Sequence, residues 1–186
     1  MRYSRDRILL LSFLVEGLLT LIFFIWARYR HFQFHPLPSG SECLVGFLAC
    51  LPLFALNYVL FGPRSKHVPA LRSCYEFKDR VVRPLAAELD VLSSAAVALC
   101  AGIGEELFFR GVLQTEFGLF TGALAFSRMH FGTAVRKYLF IATLYTCIGV
   151  YFGLLSEYYK TVWVPIVAHA AYDFLALLYL RYGDLD

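Results

Sequence analysis

Two acids and an arginine stand close together in an apolar part of the sequence: Glu105, Glu106 and Arg110. They lie in or beside the run 91–109, which is long enough to cross a bilayer. A charged residue at the centre of a span costs about 2.5 to 3.5 kcal/mol on insertion scales, so such residues indicate function. Glu106 and Arg110 stand four apart with the acid first, which places them on one helix face in the favourable order. Glu105 points about 100° away around the helix and is left for a different neighbour.

Two further polar clusters interrupt apolar segments. One is the stretch 126–130, which ends in His130, and the other contains His169 and Asp173 on one helix face. Ionisable groups from three helices must face the bundle interior and one another. A carboxylate near imidazoles can act as a general base that activates water. The same donor set, Glu105, His130 and His169, could instead hold a divalent metal such as zinc with a hydrolytic water.

Other functions are compatible with the same residue types. A single buried histidine usually packs as a hydrogen-bonded residue, and Glu106 with Arg110 can be a purely structural pair. Glu16, in the middle of the first apolar run, can pack as a protonated or paired acid or act near the site. Proton or ion translocation uses these residue types too, although six helices without an internal repeat are unusual for a transporter. A third possibility is a non-catalytic membrane partner in immunity or protein sorting.

The composition places the chain among membrane proteins. Of its 186 residues 59% are hydrophobic, and the mean hydropathy is +0.62. The net charge of +3 is modest, and basic residues flank apolar runs, which suits topology signals and not nucleic-acid binding. Five cysteines without a C-x-x-C spacing give no reason to expect a disulfide framework or a thiolate metal site.

We predict an all-α bundle of about six transmembrane helices with one interfacial helix. The predicted spans are 8–27, 43–62, 91–112, 117–131, 138–155 and 161–180. The polar segment 63–90 leads into an amphipathic helix predicted over 77–92. The chain then forms a single membrane domain, with two N-terminal spans in 1–62, a cytoplasmic or interfacial segment in 63–90 and a catalytic core in 91–180.

The distribution of basic residues predicts the orientation. With the N-terminus in the cytoplasm, twelve Lys and Arg lie on the cytoplasmic side and three outside. Glu105 is then about 20 Å into its span and His169 about 12 Å below the outer surface, so we expect the site to open nearer the extracytoplasmic face. A full-length fourth span would carry His130 too far from Glu105. The fourth helix is therefore expected to be short, tilted, re-entrant or to start deep.

The three clusters resemble the motifs of a known family. The stretch 104–111 fits E-E-x-x-x-R, 126–130 fits F-x-x-x-H, and 169–173 fits H-x-x-x-N/D. Together they resemble the CAAX protease and bacteriocin-processing (Abi) family of glutamate-dependent intramembrane proteases. The resemblance covers about 91–180, roughly half of the chain, and the two N-terminal spans carry no motif of the family.

The resemblance implies a role for each residue of the motifs. Glu105 would be the general base, with His130 and His169 holding the attacking water. Arg110 would orient Glu106 or the substrate.

Asp173 stands where many relatives have Asn. An ionised Asp only accepts hydrogen bonds, so it would not stabilise an oxyanion and would instead orient His169 or bind a metal.

The resemblance further implies an endopeptidase whose substrates are membrane-anchored or lipidated peptides or proteins. Its partners would be that substrate and the lipid bilayer, with no nucleic acid. We expect a multi-pass protein of a prokaryotic plasma membrane, with a metal-free reaction favoured and a zinc-assisted one as the alternative.

Overall fold

The computed structural model describes residues 4–183, and over this range the chain is helical without a strand. Seven helices follow one another: α1 (Arg5–Arg30), α2 (Gly40–Phe61), α3 (72–86), α4 (Val91–Phe117), α5 (Leu119–Phe131), α6 (Leu139–Tyr159) and α7 (Trp163–Gly183). Short 3₁₀ turns at Pro63–His67, Pro69–Leu71 and Gly132–Arg136 connect them. The predicted all-α membrane bundle is confirmed.

Five of these helices are long and apolar enough to cross a membrane: α1, α2, α4, α6 and α7. The predicted fourth span is short, as expected, because α5 has only 13 residues. At 1.5 Å per residue it is about 20 Å long, whereas the hydrocarbon core is about 30 Å thick. The count of about six spans therefore becomes five long helices and one short one.

The third predicted span is longer than expected. It was predicted to end near residue 112 but continues as a helix to Phe117. Its first part is α-helical to Glu106, followed by a π-helical stretch, Leu107–Gln114, and a last α-helical turn. Gly118 ends it with φ of 86°, a conformation in which a side chain would be strained.

Helices α1 and α4 run parallel, as the predicted topology requires. At one end Arg5 lies 3.2 Å from Asp90, and at the other Arg30 lies 3.0 Å from Glu116. We call the end with Arg5 and the segment 62–90 the inner end, and the opposite one the outer end.

The amphipathic helix predicted over 77–92 is displaced. Helix α3 covers 72–86 and contains a π-helical stretch, Lys78–Val82. Leu89, expected on its apolar face, lies in the connection to α4 and is buried. Asp90 caps α4 by accepting hydrogen bonds from the Ser93 backbone N–H at 2.8 Å and Oγ at 2.7 Å. These hydrogen bonds, together with Arg5, keep the pKa of Asp90 below its ordinary value.

Helix α7 holds the bundle together by packing against α2, α4 and α6. Glycines allow the close approach. A Cβ on Gly102 would stand 2.9 Å from the Ala170 backbone nitrogen, and one on Gly46 would stand 2.6 Å from the Val167 Cβ. Small residues at such crossings are typical of helix pairs in membranes. The motif residues of α4 and α7 are thereby brought to the same interior.

Candidate active site

Glu105 and His130 meet because α4 and α5 form a hairpin with nearly equal arms. Glu105 stands 13 residues before Gly118 (118 − 105) and His130 stands 12 after it (130 − 118). These arms are about 20 and 18 Å long, so the two side chains reach the same depth. The His130 Nε2 lies 3.6 Å from the Glu105 Oε1. The expectation of a short fourth helix is thus confirmed. Because α4 extends to Phe117, Glu105 and His130 lie at the same depth.

The hydrogen bonds of His130 define which ring nitrogen carries the proton in the neutral ring. Its Nδ1 lies 2.9 Å from the Phe126 carbonyl oxygen, which can only accept, so Nδ1 is the N–H donor. The Nε2 then presents its lone pair towards Glu105. The Glu105 side chain is buried, and its Oε2 has no hydrogen-bond partner among the described residues. This pair offers two basic atoms that the rest of the fold does not use.

Glu106 forms the second pair, with Arg110, and both are inaccessible to solvent. The Arg110 Nη1 donates to the Glu106 Oε1 at 2.9 Å, and Nη2 donates to the Gly149 carbonyl at 2.9 Å. The guanidinium also lies 4.9 Å from the ring centre of Phe126 and 5.5 Å from that of Phe152. Arg110 does not line the cavity described below. The ion pair is compatible with the expectation that Arg110 orients Glu106.

His169 is placed differently from the expectation. Its Nδ1 lies 2.7 Å from the Glu106 Oε1, and its Nε2 lies 3.4 Å from the Asp173 Oδ2. The ring stacks on Phe152 at a centroid distance of 5.0 Å. Both nitrogens face carboxyl oxygens, so the ring donates from both sides when those acids are ionised. Among the described residues, His169 thus pairs with Glu106 and Asp173, while the His130 Nε2 lies 3.6 Å from the Glu105 Oε1. The position of Asp173 is compatible with the expectation that it orients His169.

The candidate metal ligands do not converge. Within residues 4–183 no group of three His, Cys, Asp or Glu side chains has the arrangement of a metal site. Glu105, His130 and His169 are divided between the two pairs described above. We therefore derive no step of the reaction through a metal.

A cavity of about 400 Å³ adjoins the site. His130, His169 and Asp173 line one part of it, and the remainder extends between α3 and the inner halves of α2 and α7. The expectation of an opening near the extracytoplasmic face is not supported, because the cavity runs towards the inner end. The depth argument used only the position of each residue along its span, and this position does not show on which side a cavity between helices opens.

Comparison with known proteins agrees with this geometry. Residues 87–175 match the family model described as type II CAAX prenyl endopeptidase Rce1-like. The family resemblance is confirmed over that segment. A curated relative, the uncharacterized protein YpbD of Bacillus subtilis (strain 168), is 36% identical over 86 residues. This match covers 46% of the chain and 44% of the relative, so it spans less than half the length of either protein. No solved structure matches the chain.

Helix α1, outside the Rce1-like segment, adds an acid to the site. Glu16 is 9% exposed, and its Oε2 has no hydrogen-bond partner in the part of the chain that the structure describes. A Cβ on Gly104 would stand 2.6 Å from this oxygen, so only glycine fits beside Glu105 at this contact. Glu16 also interacts electrostatically with Glu105 and His169. The sequence left open whether Glu16 only packs or acts near the site, and the structure places it next to the site.

Helix α2 contributes a residue that the sequence analysis missed. Asn57 lines the cavity, and its Nδ2 donates to the Tyr172 hydroxyl at 2.9 Å. A signal was present in the sequence, because Asn57 is the only amide side chain in the predicted span 43–62. Tyr172 could likewise have been recognised from the sequence, because it stands next to Asp173. Asn57 extends the site beyond the family motifs, whereas Tyr172 lies at an unspecified position within the third one.

Proposed function

We propose that this protein is an intramembrane endopeptidase in which Glu105 activates the water that attacks a substrate peptide bond. The match of residues 87–175 to a protease family supports a CAAX-type membrane protease in general terms. The observation that carries the glutamate mechanism is the buried Glu105 carboxyl, whose Oε1 lies 3.6 Å from the Nε2 of His130, a residue that lines the cavity.

The reaction follows from these positions. Glu105, assisted by His130, takes a proton from water as its oxygen adds to the carbonyl carbon of the scissile peptide bond. His169 lines the cavity and has a carboxyl group beside each ring nitrogen, and a positive charge on this ring favours the oxyanion that develops. The proton held by Glu105 then passes to the amide nitrogen as the C–N bond breaks. The products are a carboxylate and a free amine.

The substrate class follows from the surroundings of the site. The acids lie inside long apolar helices, so a substrate that reaches them is membrane-anchored or lipidated. The cavity extends towards the inner end, which the basic residues assign to the cytoplasm. We therefore propose that substrates enter from the cytoplasmic side of a prokaryotic plasma membrane, with the bilayer as the second partner and without nucleic acid.

Cleavage of membrane-anchored peptides by the purified protein in detergent tests the proposal. Glu105→Gln is expected to abolish cleavage with folding intact, while the exposed acid Glu88 provides a matched control, Glu88→Gln, that retains it. Liposomes containing the protein are tested for proton flux in parallel. Wild-type protein that never cleaves but shows flux dependent on Glu105 would refute the protease and support translocation. Neither activity would favour a non-catalytic partner.

A further inference from the structure

Asn57, a residue in the wall of the cavity, has an amide oxygen without a hydrogen-bond partner in the described part of the chain. Asn57 is 8% exposed, and its Oδ1 has no hydrogen-bond partner within residues 4–183. A buried polar atom left unpaired is destabilising, and native structures contain few of them. In the structure the Asn57 Nδ2 donates to the Tyr172 hydroxyl at 2.9 Å, which leaves the Oδ1 as the atom without a partner. Asn57 therefore holds an acceptor ready for a ligand in the cavity.

This acceptor shares its cavity with the proposed catalytic groups. Asn57 lines the cavity from α2, while His130, His169 and Asp173 line it from α5 and α7. Much of the remaining wall is apolar and comes from α2, α3 and α7: Phe61, Phe77, Val81, Leu85 and Leu177. Mostly apolar walls with a few fixed polar groups are typical of sites that orient a ligand. A molecule that fills this cavity meets the Asn57 oxygen and the catalytic groups together.

The chemistry of the wall selects the kind of ligand. A hydrocarbon chain would fill the apolar part but would leave the Asn57 oxygen without a donor. An extended peptide carries an N–H group at each residue except proline, and each N–H that leaves water needs an acceptor. Apolar side chains of such a peptide suit the phenylalanine, valine and leucine walls. A peptide with small or apolar side chains satisfies both parts of the cavity, whereas a lipid tail satisfies only one.

We propose that Asn57 is a substrate-binding residue whose Oδ1 accepts a hydrogen bond from a backbone N–H of an extended apolar peptide, on the side of the scissile bond that faces α3. The inference rests on the proposed function for the identity of the substrate. Asn57 lies on α2, outside the segment that matches the protease family. It would therefore be a feature of this chain's own N-terminal helices.

Binding is measured first, separately from hydrolysis. The probe is a short peptide of leucine, valine and alanine with an N-terminal fluorophore, and the protein is the Glu105→Gln variant in detergent. A series of peptides, each methylated at one backbone nitrogen, is compared with the parent peptide. We expect methylation at one position to weaken binding about tenfold, the effect of one lost hydrogen bond to a buried group. This step needs no change at Asn57, so it does not depend on whether an Asn57 variant folds.

The assignment to Asn57 is tested with two variants. Asn57→Leu removes the acceptor at similar volume and is expected to bind the parent and methylated peptides equally. Asn57→Asp keeps an acceptor oxygen and is expected to retain the difference. In an otherwise wild-type protein, Asn57→Leu should raise KM more than it lowers kcat. An unchanged methylation pattern in Asn57→Leu, or no binding of the parent peptide at all, would overturn the proposal.

The two proposals fail in different ways. Peptide binding that depends on Asn57, together with no cleavage by the wild-type protein, would refute the protease and leave the binding site standing. Cleavage that depends on Glu105 but is insensitive to Asn57→Leu would retain the protease and refute the role of Asn57.

Discussion

Replacing Glu106 by Gln tests whether Glu106 is structural while Glu105 is the acid proposed to be catalytic. The Glu106 Oε1 receives the Arg110 Nη1 at 2.9 Å and the His169 Nδ1 at 2.7 Å, and neither Glu106 nor Arg110 reaches solvent. A glutamine keeps the shape but removes the negative charge that two donors share. Breaking one partner of a buried ion pair costs about 3 to 5 kcal/mol. We expect Glu106→Gln to lose stability in this range.

Glu105→Gln is the matched control, since it is the same substitution one residue earlier. The Glu105 carboxyl has a single contact of 3.6 Å with His130, whose side chain is 28% exposed. Losing such a contact costs about 1 kcal/mol or less. The free energies of unfolding of the two variants should therefore differ by at least about 2 kcal/mol, which is roughly 30-fold in the unfolding equilibrium constant.

The assay is SDS-induced unfolding in mixed micelles, with peptide cleavage measured on the same preparations. Glu106→Gln should unfold at lower SDS, and Glu105→Gln should unfold like the wild type but lack activity. Equal stability of Glu106→Gln and wild type, with a misfolded Glu105→Gln protein, would show that the roles of the two acids are reversed.

Three further predictions concern packing, topology and metal. Gly104→Ala should destabilise the protein by about 1 to 3 kcal/mol by overpacking against α1, whereas Gly17→Ala, which has open space around it, should not; thermal unfolding of both measures this. With the five native cysteines removed, an impermeant thiol reagent added outside should label a cysteine at Thr115 and not at Lys137, and the opposite pattern would invert the topology. Activity should survive prolonged dialysis against chelators, and loss that zinc restores would contradict the metal-free reaction.

Spacing within a helix predicted contacts well. The four-residue separations of Glu106 from Arg110 and of His169 from Asp173 both correspond to contacts in the structure. These pairs depend only on helix geometry, which a sequence specifies locally. The helical nature of the chain was predictable for the same reason, since long apolar runs have few alternatives in a bilayer.

Contacts between helices were not predictable in the same way. The pairing of His169 with Glu106 instead of Glu105 depends on how α4 and α7 are rotated about their axes, and this depends on packing at Gly102. The π-helical stretch Leu107–Gln114 has no distinct sequence signal, although it changes the direction of every side chain that follows it. The positions of Glu16 and Asn57 beside the site were harder to predict because these residues belong to no motif, although each is a polar residue in an apolar run.

In the hairpin formed by α4 and α5, the number of residues in the two arms sets the depth of the site in the bilayer. Its arms of 13 and 12 residues measure how far Glu105 and His130 lie from the turn at Gly118. One additional turn in only one arm would shift one residue past the other by about 5.4 Å and separate the pair. One additional turn in both arms would preserve the pair and move it deeper. Paired insertions in the two arms would therefore change the depth of the Glu105–His130 pair without changing its geometry.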